Sequence, residues 1–183
     1  VASSHAEDEA DIYFATKYVL EHQPDALLIW APRHPERAKN IIECASDLVI
    51  HQRSKHQSIT GDTQIYLADT LGELGTVFSC SKIVFLGGSF GRKGGHNPFE
   101  PASFGCFILT GPHIQNHKEG FEALMRVDAA KSVSNGADLG LQVVNFMDES
   151  ETEMNGENGR ALVASANGSV EKTVALLRSR LAF

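Results

Sequence analysis

The sequence predicts an α/β fold in which one parallel sheet carries helices on both faces. Short apolar runs of strand length alternate with stretches of helical period along the chain. Polar and glycine-rich residues follow these runs and precede the helices, as they do at the carboxyl edge of a parallel sheet. A length of 183 residues suits one domain with its own core. We therefore expect a single domain over residues 1–183.

The predicted elements can be placed in order. A helix is expected over residues 4–22, because Ser4 and Glu7 have capping-box spacing and apolar residues recur on one face. The acidic stretch 148–156 is predicted to be a polar connection before the final helix. Strands are predicted at 27–30, 48–51, 64–68, 83–87, 106–110 and 131–134, and further helices at 36–46, 71–79, from 97, 118–127, 137–147 and 158–181.

Composition excludes several classes of protein. The net charge is −7 and no basic stripe is present, which argues against nucleic acid as a partner. Cys44, Cys80 and Cys106 stand singly, so no disulfide is expected. The longest apolar runs reach only strand length, so the chain is not expected to span a membrane. The eight histidines are scattered, and neither a metal nor another cofactor is predicted.

The loop after the strand at 27–30 contains the first candidate binding residues. Pro35 suits a helix start that would aim backbone N–H groups at a ligand, and Arg33 could offer a forked charge to a phosphate. The same residues also fit a proline-rich turn in which Arg33 pairs with Glu36 or with solvent.

The loop Asp69-Thr70-Leu71-Gly72-Glu73-Leu74 follows the strand at 64–68 and has two explanations. Thr70 and Glu73 have capping-box spacing, which needs no ligand. Gly72 removes a side chain at the point where a phosphate or sugar could approach backbone amides. The local sequence leaves both explanations open.

The stretch from Gly87 to Pro101 contains five glycines but matches no familiar nucleotide loop. Its spacing does not fit the dinucleotide fingerprint, and a Walker loop fails because Lys93 precedes Gly94. Arg92 and Lys93 fit a solvated loop tip.

The end of this stretch is more informative. Asn97, Pro98 and Glu100 have the order of a helix cap, a first helical residue and a third residue. Glu100 could also accept hydrogen bonds from two neighbouring hydroxyls, as on a ribose. His96 could reach a ligand or satisfy a buried carbonyl, and His113, after the strand at 106–110, could reach a ligand or lie in a turn.

These motifs resemble those of bacterial 3-deoxy-D-manno-octulosonic acid (Kdo) transferases of lipid A biosynthesis. The string from Gly94 to Pro101 is the specific part, and the likeness covers the carboxyl-terminal half of such enzymes. Residues 90–93 and His117 depart from the family pattern. The matching motifs, in order, are Pro32-Arg33-His34-Pro35-Glu36-Arg37, Arg53-Ser54, Asp69-Thr70-Leu71-Gly72-Glu73-Leu74, Gly87-Gly88-Ser89, Gly94-Gly95-His96-Asn97-Pro98-Phe99-Glu100-Pro101 and Gly111-Pro112-His113.

The resemblance implies one Rossmann-like half of a glycosyltransferase B fold, the half that binds the donor CMP-Kdo. Transfer of Kdo to a lipid A precursor would be inverting and metal-independent, without a cofactor. The residues implied to bind CMP are Pro32, Arg33, Gly72, Glu73, Leu74, Asn97, Pro98, Phe99 and Glu100. Further candidates around the site are Ser3, Ser4, His5, His96 and His113, the first three facing the cleft between the domains.

The resemblance also implies a partner domain. The acceptor site, the general base and any contact with the membrane would belong to an amino-terminal domain that this chain does not contain. The full-length protein is expected at the cytoplasmic face of the bacterial inner membrane, and this chain alone is expected to be soluble and inactive. Two alternatives remain, namely another glycosyltransferase B or epimerase domain that uses a UDP-sugar, and a non-catalytic nucleotide-binding domain.

Overall fold

A sheet of seven parallel strands forms the centre of the protein. The structure is a computed structural model and describes residues 1–147 and 149–166. The strand order across the sheet is β3-β4-β2-β1-β5-β6-β7. The strands are β1 (Ala2–Ser4), β2 (Leu28–Pro32), β3 (Ile50–Gln52), β4 (Ile65–Leu67), β5 (Ile83–Leu86), β6 (Phe107–Thr110) and β7 (Ala130–Ser132).

Helices cover both faces of this sheet, which confirms the predicted fold class. The helices are α1 (Glu9–His22), α2 (Ala38–Cys44), α3 (Leu74–Ser79), α4 (Phe99–Ser103), α5 (Lys118–Met125), α6 (Gly136–Asn145) and α7 (Glu149–Ala166). Side chains of α1, α2 and α6 share one buried cluster, whereas those of α3, α4, α5 and α7 share another. Strand β6 contributes side chains to both clusters, because Phe107 and Leu109 point into the first cluster and Ile108 into the second.

The prediction for the amino terminus was wrong in one respect. Residues 2–4 form β1, the central strand, and α1 begins only at Glu9. Three residues are too few to show a period of two, and Ala2 is fully buried between β2 and β5. The predicted capping box of Ser4 and Glu7 does not form, since the Ser4 hydroxyl accepts a hydrogen bond from the indole of Trp30 instead.

The prediction of a polar connection over 148–156 was also wrong for residues 149–156, whereas residue 148 lies outside the described residues. Helix α7 spans Glu149–Ala166, and Thr152 and Asn155 are buried although this part of the sequence is acidic. Gly156 packs so closely on the carbonyl of Gly105 that a side chain would not fit. The face of α7 that contains Thr152, Asn155 and Gly156 is small and only weakly polar, so this helix packs on the protein although its sequence is acidic. The predicted helix at 158–181 is confirmed as far as Ala166, and its remainder lies outside the described residues.

The other elements agree with the prediction to within a few residues, apart from late starts for α3 and α4. Cys44, Cys80 and Cys106 are free thiols. Among residues 1–147 and 149–166, no helix combines the length and apolarity that a bilayer crossing requires.

Candidate functional site

The chain changes direction across the sheet between β1 and β5. From β1 it passes through α1 to β2 on one side, whereas β5, β6 and β7 follow one another on the other side. The loops after β1 and β5 therefore diverge at the carboxyl edge, which is where ligands bind in open sheets of this kind. The loops after β2, β4 and β6 open on the same edge because all strands are parallel.

Close backbone packing brings the two central loops together. A Cβ atom on Gly87 would lie 2.5 Å from the Ser4 Cα, so only glycine fits there. Gly88 has a φ of +69°, and a Cβ atom on it would lie 3.2 Å from the His5 ring and 3.3 Å from the His96 ring. Ser3 also has a left-handed φ of 57°, which is uncommon for a residue with a side chain.

Asp8 holds these loops from behind. Its side chain is fully buried and accepts hydrogen bonds from the backbone N–H groups of His5 at 2.8 Å, Gly88 at 2.7 Å and Phe90 at 3.1 Å. The loop after β1 and the loop after β5 are thus joined through one carboxylate. The hydrogen bond from the His5 N–H to Asp8 has the spacing of the capping box suggested for Ser4 and Glu7, but lies one residue later in the chain.

Three imidazoles form a histidine cluster at the mouth of the crevice, consisting of His5, His34 and His96. The Nε2 atoms of His5 and His96 are 3.0 Å apart, and their rings lie parallel within 5° with centroids 5.2 Å apart. The ring of His34 meets that of His5 edge-on at 5.6 Å. Because a hydrogen bond between two imidazole nitrogens needs one donor and one acceptor, one of the two Nε2 atoms carries the shared proton.

The surroundings of this pair disfavour its charged form. Burial lowers the pKa of His5, with the carboxylate of Asp8 opposing it in part. Burial also lowers the pKa of His96, and the charges of His5 and Arg33 lower it further. The two imidazoles therefore favour their uncharged forms, although the guanidinium of Arg33 carries its charge nearby.

Arg33 presents a free charge at this crevice. Its backbone N–H donates to the Ser4 carbonyl at 3.0 Å, which fixes the start of the loop after β2. Its guanidinium is exposed and makes no hydrogen bond or ion pair with the described residues. The pairing of Arg33 with Glu36 does not form, because Glu36 approaches His34 at 3.7 Å.

The loop after β4 is fixed by the last residue of β3 and the residues directly after that strand. The Asp69 carboxylate accepts hydrogen bonds from the Gln52 amide at 2.6 Å, the Ser54 hydroxyl at 2.6 Å and the Ser54 N–H at 2.8 Å. Burial alone would raise the pKa of Asp69, but the hydrogen bonds from Ser54 and Gln52 outweigh it and lower the pKa.

Glu73 belongs to the same arrangement. Its carboxylate accepts hydrogen bonds from the Arg53 guanidinium, with Nη2–Oε1 at 2.7 Å, and from the Thr70 hydroxyl. These hydrogen bonds, that of Arg53 above all, lower the pKa of Glu73 to about 2. Of the two explanations that the sequence left open for this loop, the capping box of Thr70 and Glu73 does not form, because α3 begins at Leu74 and the carboxylate is turned toward Arg53. Gly72 has a φ of +82° and open space around it, so the backbone there is accessible.

The predicted helix start after β5 is confirmed in its main contact. The Asn97 side-chain oxygen accepts a hydrogen bond from the Phe99 N–H at 3.1 Å, and α4 begins at Phe99. Pro98 is buried, whereas Glu100 is exposed and its carboxylate has no partner among the described residues. An unpartnered carboxylate beside a helix start remains available to ribose hydroxyls.

The glycines before this helix serve close packing. Gly94 and Gly95 both have left-handed φ, and a Cβ atom on Gly94 would lie 2.6 Å from the Asn116 side chain. Arg92 and Lys93 are exposed at the loop tip, as predicted. His113 is exposed too, and its N–H donates to the Ser89 carbonyl at 3.0 Å.

Two further observations bear on what the site can hold. A cavity of about 420 Å³ lies at the opposite, amino-terminal edge of the sheet and is lined mainly by apolar side chains, from α1, α6 and the starts of the strands. It is distant from the loops described above, and its apolar lining suits no phosphate. Within the described residues, no group of three histidine, cysteine or acidic side chains is placed to hold a metal ion.

Comparisons with known proteins agree on one family, although no protein-family model matches the chain. A solved structure of the C-terminal CMP-Kdo binding domain of WaaA from Acinetobacter baumannii superposes with a TM-score of 0.79 at 30% identity, covering 88% of this chain and 86% of that one.

The chain belongs to the 3-deoxy-D-manno-octulosonic acid transferase family. The transferase of Haemophilus influenzae is 32% identical over 184 aligned positions, which include 98% of this chain and 43% of that protein. The transferase of Rickettsia felis is 39% identical over 140 positions, which include 75% of this chain and 30% of that protein. The chain thus spans less than half the length of these relatives.

Every residue that the family resemblance implied lies at the carboxyl edge of the sheet or at the helix starts beside it. The structure brings His5, Arg33 and His96 together at the crevice. The rings of Phe78 in α3 and of Phe104, directly after α4, are 5.9 Å apart.

Sequence reasoning missed the residues that hold the family's loops in place. Asp8 was not singled out, because two of its three partners, the backbone amides of Gly88 and Phe90, are brought near only by the fold. Gln52 carried no signal either. Arg53 and Ser54 appeared only as part of the resemblance, and their hydrogen bonds to Glu73 and Asp69 now give them a structural role.

Proposed function

We propose that this chain binds the nucleotide sugar CMP-Kdo and is the donor-binding part of a transferase that moves Kdo onto a lipid A precursor. The observation that carries the proposal is the superposition on a CMP-Kdo binding domain over most of both chains. The arrangement of the carboxyl edge supports it, because an unpaired guanidinium, accessible backbone and a carboxylate without a partner among the described residues all lie in loops or at helix starts of this edge. Each of these groups suits one part of a nucleotide.

The proposed roles follow the chemistry of each group. Arg33 and the backbone around Gly72 bind the phosphate, since a guanidinium and free N–H groups both favour phosphate oxygens. The backbone at Pro32 meets the cytosine edge, and Glu100 accepts hydrogen bonds from the ribose hydroxyls. The remaining members of the site are Glu73, Leu74, Asn97, Pro98 and Phe99, which shape its walls, with Ser3, Ser4 and His113 as further candidates at its rim.

The reaction divides between this domain and the rest of the full-length protein. An acceptor hydroxyl attacks the anomeric carbon of Kdo with inversion, its proton passes to a general base, and the bond from that carbon to the phosphate oxygen breaks. The Arg33 charge stabilises the CMP that leaves, without a metal ion. The base and the acceptor site belong to the other part of the full-length protein, which works at the cytoplasmic face of the bacterial inner membrane.

Calorimetric titration with CMP and with UMP tests the proposal. We expect CMP to bind at least about tenfold more tightly, because the amino group of cytosine donates to a carbonyl that the uracil oxygen would only repel. Equal binding of the two nucleotides, or tighter binding of UMP, would point to a UDP-sugar enzyme instead.

The role of Glu100 has its own test. Wild type should bind CMP more tightly than 2′-deoxy-CMP, whereas Glu100→Ala, which removes both acceptor oxygens, should bind the two with nearly equal affinity. A preference for CMP that survives in Glu100→Ala would contradict the assignment. Normal CMP binding without transfer, after this domain is joined to the acceptor domain of an active relative, would favour a non-catalytic nucleotide-binding role.

A further inference from the structure

None of the nucleotide contacts proposed above uses the imidazoles of the histidine cluster, although their nitrogen atoms can donate and accept hydrogen bonds. His5 and His96 lie on the two loops that diverge at the centre of the sheet, and their Nε2 atoms share one proton across 3.0 Å. Three unusual backbone positions, Ser3, Gly87 and Gly88, allow this approach. Strained or tightly packed backbone of this kind is typical of functional sites.

We propose that the His5–His96 pair is a subsite for an anionic oxygen of the donor, and that the anion binds with uptake of one proton by the pair. The inference rests on the proposed function, because it assigns part of the same donor to these side chains. The donor offers two such oxygens, one on the phosphate and one on the carboxylate of the acid sugar. Both are recognised by the same chemistry, namely two charge-assisted N–H donors.

A single proton changes what the pair can do. Without it, one Nε2 donates to the other, and the pair has no donor left at that point. When the accepting Nε2 takes up a proton, the internal hydrogen bond breaks and both nitrogens become donors that face the crevice. An anionic oxygen between them accepts both hydrogen bonds and stabilises the added charge.

The charges around the pair fit this role. His5 is faced by Asp8, Glu7, His34 and Lys93, and His96 by Arg33, His117 and Asp8. Asp8 is committed to three backbone amides, and Glu7 approaches Lys93 at 3.8 Å. The carboxylates near the pair therefore already have partners, whereas the Arg33 guanidinium has none among the described residues. A bound anion supplies the charge that this environment lacks.

Histidine ring signals in NMR spectra of the 183-residue chain provide a test that needs no variant. Addition of CMP or of free Kdo should shift the ring signals of His5 and His96 toward the protonated form. The signals of His22 should stay in place, because that residue lies at the end of α1 and contacts Tyr18. Binding of both ligands without any shift at His5 and His96 would overturn the inference.

Affinities of His96→Gln and His5→Gln identify the anion. At about pH 6.5, near the ordinary histidine pKa, either variant should bind an anion at the pair about 10- to 100-fold more weakly than wild type. A loss for CMP with unchanged cytidine binding assigns the phosphate, and a loss for free Kdo alone assigns the carboxylate. Unchanged affinity for both anions, or an equal loss for CMP and cytidine, would contradict the inference. His22→Gln is the matched control and should bind every ligand normally.

Calorimetry in buffers of different ionisation enthalpy counts the protons. The phosphate of CMP itself titrates near pH 6, so the number sought is the difference between wild type and His96→Gln. Wild type should take up as much as about one additional proton for each ligand bound at the pair. An equal number in both proteins would overturn the proton-linked part of the inference. Failure of wild type to bind any of these ligands would instead count against the proposed function.

Discussion

The loop after β4 and the crevice between β1 and β5 lie on the same edge of the sheet but are built in opposite ways. In the loop after β4, Asp69 and Glu73 already have partners from the segment that follows β3. In the crevice, Arg33 has no partner among the described residues, and the two imidazoles are bonded only to each other. The polar side chains of the loop after β4 are already hydrogen-bonded within the protein, and we call this loop the fixed wall. The polar side chains of the crevice leave hydrogen-bonding capacity that a ligand could use.

The largest effect is expected where the crevice is held together. Asp8→Ala leaves three backbone amides without their acceptor and should lower the free energy of unfolding by about 3–5 kcal/mol. Chemical denaturation measures this change, and Asp8→Asn should lose less because it keeps one acceptor. Asp25→Ala, at an exposed position, should change stability by less than about 0.5 kcal/mol. Equal effects of Asp8→Ala and Asp25→Ala would contradict the structural role of Asp8.

The next effect separates binding from folding. Arg33→Ala should weaken CMP binding by about 1.5–3 kcal/mol, because a charged hydrogen bond to phosphate is lost. Its melting temperature should stay close to that of wild type, since the guanidinium makes no hydrogen bond or ion pair with the described residues. Arg126→Ala, which removes an exposed arginine at the end of α5, is the control for loss of charge. If Arg33→Ala and Arg126→Ala lost similar affinity for CMP, the loss would be due to the change in net charge and not to a contact of Arg33 with the phosphate.

A smaller effect is expected at the start of α4. Asn97→Ala removes the acceptor for the Phe99 N–H and should cost about 1 kcal/mol of stability. Asn40→Ala lies inside α2, where alanine is the better helix former, and should be neutral or slightly stabilising. Thermal unfolding of the two variants gives the comparison. No loss in Asn97→Ala would show that the packing of Pro98 alone fixes this helix start.

The smallest effect tests the fixed wall through pH. The pKa of Glu73 is lowered to about 2 in the folded protein, so folding favours its ionised form. This contribution to stability is present above the unfolded pKa of about 4.3 and is lost as the pH falls from there toward 2. Melting temperatures over this range should fall more steeply for wild type than for Arg53→Gln. Parallel curves would mean that the ion pair contributes nothing in solution.

How far the sequence predicted the fold depended on the length of each element. The strands at Ile83–Leu86 and Phe107–Thr110 are long enough, and buried enough, to be read as apolar runs. Strand β1 has only three residues and carries no such pattern. The acidic residues of 148–156 suggested a polar connection, and helix α7 was missed there. Its buried face is narrow and consists of small residues, so the sequence shows almost no apolar period.

The sequence by itself determined the succession of strands β2 to β7 and of the loops after them, and with it most of the residues at the carboxyl edge, whereas β1 carried no signal. Alternating apolar runs require a parallel sheet, and a parallel sheet brings the loops after its strands to one edge. Only the tertiary structure decided which groups are already satisfied. Asp8, Gln52 and Arg53 find their partners across long stretches of chain, and His5 meets His96 over a separation of 91 residues. No local pattern encodes such contacts, because they exist only in the assembled sheet. Those of Gln52 and Arg53 need β3 beside β4, and the contact of His5 with His96 needs β1 between β2 and β5.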